Sequence, residues 1–115
     1  MSVPAIATLI RFYPIFAAPP VMHPLIELHR QQLLNLARLH GLGNMRVFGS
    51  MARGDADDDS DVDLLVTLPA GTSGLALGGL LMDAQELLGR RVDVLTEAAL
   101  HPTLRDRILS TCVVL

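Results

Sequence analysis

The residues best placed to do chemistry fall in two short runs. The first is Phe48-Gly49-Ser50-Met51-Ala52-Arg53-Gly54; the second is Asp61-Val62-Asp63, with ten residues between Ser50 and Asp61. A Gly-Ser turn can offer backbone N–H groups to a phosphate, and glycine lets that backbone come close. Carboxylates at i and i+2 of a strand point to one face, where they can share divalent metal ions. In nucleotidyl transfer two metals about 3.5–4 Å apart clamp the attacking and leaving oxygens. Mg²⁺ prefers carboxylates plus substrate phosphates to a closed protein cage. Asp61 and Asp63 therefore read as ligands for two Mg²⁺ ions, and Gly49 and Ser50 as the cradle of a nucleoside triphosphate. A lone Asp-x-Asp is a weak signal, often a pair of solvated strand-edge acids; the neighbouring Gly-Ser turn argues against that here.

Asp93 is the third candidate. It lies mid-strand between Val92 and Val94, where aspartate is disfavoured. If its strand runs beside that of Asp61 and Asp63, it completes the metal site and can help orient or deprotonate an acceptor hydroxyl. The plainer alternative is an edge acid paired with Arg90 or Arg91. Arg53 can pair with phosphate or with an acid of the following loop. The alternating acids Asp55, Asp57, Asp59, Asp61 and Asp63 imitate a calcium loop. Its sixth position, however, is Ser60 where glycine is needed, and its twelfth is Val66 where glutamate is needed. Asp57, Asp58 and Asp59 then read as a solvated turn. His23, His29, His40 and His101 lack ligand spacing and read as surface or capping residues. No nucleophile elbow, Walker loop or Cys-x-x-Cys is present.

The elements that must position these residues follow from periodicity. Pro24 suits the first turn of a helix to about His40, with Leu25, Leu28, Leu36 and Leu39 on one stripe and Ile26, Leu33 and Ala37 beside it. Met45 to Phe48 reads as a strand, Ser50 to Gly54 as a turn or single helical turn, and Gly54 to Ser60 as an acidic loop. Asp61 to Leu68 alternates as a strand, with Asp61, Asp63, Leu65 and Thr67 on one face. After a turn over 69–74, a helix runs to about Leu88; Gly78 and Gly79 weaken it by roughly 1 kcal/mol each relative to alanine. Gly89 caps it. Arg91 to Leu95 is a third strand, and Pro102 to Thr111 a last helix presenting Leu104, Ile108 and Cys112. The order α-β-β-α-β-α predicts an α/β (α+β) fold, a small mixed sheet with packed helices.

The chain has 115 residues, enough for one small domain, and half are hydrophobic. With three Phe, one Tyr and no Trp, its core must be aliphatic. A net charge of −3 argues against direct nucleic-acid binding. One cysteine, Cys112, excludes an internal disulfide and fits a reducing, cytoplasmic setting. Residues 1–21 are apolar but carry Arg11 and prolines at 4, 14, 19 and 20. They are too interrupted for a membrane span, and no positive charge precedes them as in a secretory signal. They are expected to be an N-terminal arm or an upstream extension, with Met22 opening a domain over 22–115.

Gly49-Ser50-Met51-Ala52-Arg53-Gly54, Ser60-Asp61-Val62-Asp63-Leu64-Leu65-Val66 and Arg91-Val92-Asp93-Val94 together resemble the minimal nucleotidyltransferases of the DNA polymerase β-like superfamily. Within it, the resemblance is to the MntA-type antitoxins of prokaryotic HEPN/MNT toxin–antitoxin pairs, and it spans roughly residues 25 to 110. It implies the polymerase β-like fold, triphosphate binding by Gly49 and Ser50, Mg²⁺ at Asp61 and Asp63, and a third acid at Asp93. Arg53 and Gly54 belong to the same signature. The tail Cys112-Val113-Val114-Leu115 departs from the usual end of the domain. The resemblance further implies transfer of AMP from ATP to a tyrosine of a cognate HEPN ribonuclease toxin. Size agrees: residues 45–95 are spent on the triphosphate and metal site, leaving nothing to build an acceptor pocket, so the acceptor is expected from a partner. The alternatives are transfer to a small molecule such as an aminoglycoside, or a non-catalytic module that masks a toxin.

Overall fold

Two helices of this chain begin with the same dipeptide, His-Pro, and for the same reason. In α1 (Pro24–Leu39) and α4 (Pro102–Thr111) the proline occupies the first turn, where its missing N–H costs nothing. The histidine before it accepts a backbone N–H that the helix leaves free, His23 from Leu25 at 3.1 Å and His101 from Thr103 at 3.2 Å. The computed structural model describes residues 22–115, so the expectations for residues 1–21 lie outside the described residues.

Between these helices stand β1 (Gly43–Phe48), the single-turn α2 (Ser50–Arg53), β2 (Val62–Thr67), α3 (Leu75–Leu88), β3 (Val92–Thr96), a 3₁₀ turn at Glu97–Ala99, and after α4 the short β4 (Val113–Val114). The sheet order is β3-β2-β1-β4. β1 is antiparallel to β2 and β4, while β2 and β3, joined through α3, run parallel. This is the mixed sheet with packed helices that the element order predicts. No helix among the described residues is long and apolar enough to cross a membrane.

The sheet has two unlike faces. One carries Met45, Val47, Val62, Leu64, Val66 and Val92, buried under Ile26, Leu33 and Ala37 of α1 and Leu80, Ala84 and Leu88 of α3. The other carries a smaller cluster of Phe48, Leu65 and Leu100, covered by Ile108, Leu109 and Cys112. The Asp-bearing positions lie on this second, partly covered face.

Four expectations need correction. The leucine stripe of α1 is not its core face: Leu28 and Leu39 are 78% and 74% exposed. The buried line is Ile26–Leu33–Ala37, about a third of a turn away, because it places the branched and small residues against the sheet. In α4, Leu104 is half exposed and Leu109 takes its place beside Ile108 and Cys112. The apolar tail is not a departure from the domain but part of its sheet: Val113 pairs with Val47 and Val114 with Arg46. Finally, the ladder of β2 begins at Val62, so Asp61 stands just outside the strand.

Gly79 also gains a reason. A Cβ there would meet the His40 imidazole at 2.7 Å, whereas one on Gly78 would meet nothing within 4 Å. The His40 ring lies over Gly79 and bonds Asp83 Oδ2 at 2.6 Å, joining the end of α1 to α3. His40 is thus more than the surface or capping residue expected from its isolation in the sequence. Arg46, on the central strand β1, is the single buried charged residue among those described. Its Nη1 meets Glu97 Oε1 at 2.6 Å, while its Nη2 is buried without a partner.

Candidate active site

Strand register places the acids. In the parallel β2–β3 pair Asp63 lies opposite Asp93, so their side chains leave the same face. In the antiparallel β1–β2 pair Asp63 lies opposite Phe48, the last residue before the Gly-Ser turn. One carboxylate is therefore flanked by the third acid on one side and by the phosphate-type turn on the other. The sequence could state the Asp93 reading only conditionally; the parallel register supplies the condition. Neither arginine of the alternative reading pairs with Asp93. Arg90 binds loop carbonyls, and Arg91 Nη1 lies 3.9 Å from Asp61 Oδ2.

The turn has a backbone that only glycine tolerates. Gly49 sits at φ 72°, ψ −152°, a region closed to residues with a Cβ. A Cβ built there would also overlap Asp63 Oδ2. Gly49 then caps α2, and its own carbonyl accepts the N–H groups of Ala52 and Arg53. Ser50 and Met51, as the first helical residues, have no intrahelical acceptor for their own N–H groups. The Ser50 hydroxyl stands at the start of α2, beside these N–H groups. Met51 and Ala52 anchor the turn in the core.

The electrostatics identify Asp63 as the centre. Burial, and after it the negative charges of Asp93 and Asp61, hold its carboxyl above the usual carboxylate range; Arg53 pulls weakly the other way. A half-buried carboxylate crowded by two other acids is the kind of oxygen-donor set that hard cations take. They do not form a closed cage: among the described residues no three His, Cys, Asp or Glu side chains are gathered to hold an ion unaided. A cation that keeps substrate phosphate oxygens in its shell needs no such cage, so the residues fit Mg²⁺ carried with a nucleotide.

Of the two readings of Arg53, the structure shows the loop contact: Nε is 3.2 Å from Asp55 Oδ2, with both side chains exposed. The acids Asp57–Asp59 form the expected solvated turn. Asp57 accepts from the Asp59 N–H at 2.9 Å and the Ser60 hydroxyl at 3.0 Å, which hold its carboxyl below the usual range. Arg90 is the residue near the site that sequence reasoning missed. Its signal is only a basic pair before Val92, which reads equally as a partner for Asp93. Shallow recesses exist elsewhere, one of about 490 Å³ beside Gln32, Asn35 and Glu86 between α1 and α3, on the sheet face away from the acids.

The family of nucleotidyltransferase domains matches residues 29–115. The chain is 39% identical over 84 residues, covering 73% of it and 90% of the relative, to a Methanocaldococcus jannaschii protein provisionally named a protein adenylyltransferase. It is 37% identical over 73 residues, covering 64% of it and 74% of the relative, to protein adenylyltransferase MntA of Thermococcus cleftensis. A solved toxin–antitoxin structure with AMP-PNP shares the fold, with a TM-score of 0.63 over 73% of this chain and 69% of that one at 20% identity.

Proposed function

The chain belongs to the nucleotidyltransferase domain family, and from that premise we propose that it is a protein adenylyltransferase acting as an antitoxin. It moves AMP from ATP to a tyrosine hydroxyl of a cognate HEPN ribonuclease toxin in the cytoplasm. The observation that carries this reading is the register of Asp63 with Asp93, beside a Gly49 turn whose backbone no other residue could adopt. The names of two relatives, both adenylyltransferases, support the group transferred. The toxin–antitoxin match in fold supports the kind of partner.

In this mechanism Gly49 and the first N–H groups of α2 take the triphosphate oxygens, and the Ser50 hydroxyl donates to one of them. Asp61, Asp63 and Asp93 would hold Mg²⁺, which supplies charge neutralisation at the phosphates and at the leaving pyrophosphate. The acceptor oxygen bonds to the α-phosphorus as the bond from that phosphorus to the bridging oxygen breaks. The hydroxyl proton passes to Asp93, which faces the same space as Asp63. Arg53 pairs with Asp55 at the start of the acidic loop.

Incubation of the chain with the toxin encoded beside it, ATP and Mg²⁺, followed by intact mass measurement, tests the proposal. A gain of one or more AMP units on the toxin, abolished by Asp61→Asn with Asp63→Asn, is expected. Neutralisation of the toxin by the double variant with no mass change would replace catalysis by masking.

A further inference from the structure

Asp61 stands one residue before β2, so the strand ladder does not hold it. Its flanking peptide groups are held instead by two consecutive residues of the turn that leads from α3 into β3. Arg90 Nη1 donates to the carbonyls of Asp57 at 2.8 Å and of Ser60 at 3.2 Å. The Val62 N–H donates to the Arg91 carbonyl at 2.9 Å. The Ser60 carbonyl belongs to the peptide plane that ends at Asp61, so the Arg90 bond and the Val62–Arg91 bond hold the peptide planes on either side of the Asp61 side chain.

Arg90 is unusual in what it binds. Its side chain is only 15% exposed, and its close acceptors are neutral carbonyls. Its one carboxylate contact among the described residues is a 4.0 Å approach to Asp58, which is fully solvated. Ordering and partly burying a guanidinium is costly, and here it returns no close ion pair. It returns a closed loop: both carbonyls belong to the segment between the phosphate turn and the first acid, and one nitrogen bridges them.

We propose that Arg90 is a positioning residue, which clamps the Asp57–Ser60 loop and thereby aims Asp61 at the cation shared with Asp63. This rests on the nucleotide-and-metal reading of the site. Outer residues that orient metal ligands typically change metal affinity by about 10–100-fold when removed. The probe is Mn²⁺, titrated by electron paramagnetic resonance in the presence of a non-hydrolysable ATP analogue. Arg90→Ala is expected to raise the half-saturating Mn²⁺ concentration at least about tenfold. Amide exchange should accelerate across residues 57–62. Arg90→Lys, which keeps the charge on a shorter side chain, is expected to fall between the two. In an Asp61→Asn background the Arg90→Ala change should add little further loss. Unchanged Mn²⁺ uptake by Arg90→Ala, or a full independent loss in the Asp61→Asn background, overturns the role of Arg90. Failure of the unsubstituted chain to take up Mn²⁺ with nucleotide overturns the reading of the site itself.

Discussion

The α-carbon of Gly49 lies directly against the carboxylate of Asp63, so close that no side chain fits between them. The Gly-Ser turn and Asp63 are thus one packing unit, and a change at either is felt at the other. Gly49→Ala should be destabilising by about 1–3 kcal/mol from backbone strain alone. That corresponds to a melting temperature lower by roughly 4 °C or more. It should also abolish nucleotide binding. Thermal denaturation followed by circular dichroism, with and without ATP and Mg²⁺, measures both.

Asp63 is held in a state that opposes folding. Its carboxyl titrates above the unfolded value of 3.8 because of burial and its acidic neighbours. Between those two values the folded state binds more protons than the unfolded, so stability falls as pH rises through the window and stays lower above it. Asp63→Asn should therefore melt at a higher temperature than the unsubstituted chain at pH 7. The difference should shrink as the pH drops below the unfolded value, while adenylyl transfer falls by roughly 100-fold or more at neutral pH. A lower melting temperature for Asp63→Asn at pH 7 would show that burial and repulsion do not govern this carboxylate.

Adjacent glycines in α3 should respond in opposite directions. Gly78→Ala meets open space and should stabilise by about 1 kcal/mol through helix propensity. Gly79→Ala drives a methyl into the His40 ring, and should destabilise by about 1–3 kcal/mol, as overpacking does. Urea midpoints of the two variants decide this, and equal shifts would mean the α1–α3 contact yields freely.

Arg46 and Glu97 form an unequal pair, one side chain 7% exposed and the other 39%. Glu97→Ala leaves a buried guanidinium uncompensated and should cost about 2–4 kcal/mol. Arg46→Met, which removes the buried charge and its unpartnered Nη2, should be far milder. Denaturant titration of both variants provides the comparison.

Much of this arrangement can be read from local sequence, and the rest fails for physical reasons. Gly49, Ser50, Asp61, Asp63 and Asp93 stand out by type and spacing, a Gly-Ser turn followed by acids at alternate positions and one more acid inside an apolar strand. The strands β1 to β3 follow from alternation. What escaped depends on pairing between distant segments. Val113 and Val114 form a strand only because β1 offers an edge. The buried line of α1 is set by the sheet it meets, not by its abundance of leucine. Arg90 acts through backbone carbonyls, which carry no sequence signature. Arg46 interrupted an apolar strand, a visible signal whose partner, 51 positions on, was not.

The parallel register of β2 and β3 has a consequence for the whole population of molecules. A slip of one residue would turn Asp93 into the aliphatic core and push Val92 and Val94 out to water. Such a molecule could not stay folded, because an unpaired carboxylate in that interior costs several kcal/mol. Misassembly of the acids and collapse of the domain are therefore the same event. Every molecule that survives as a compact chain is therefore also one in which Asp63 and Asp93 share a face.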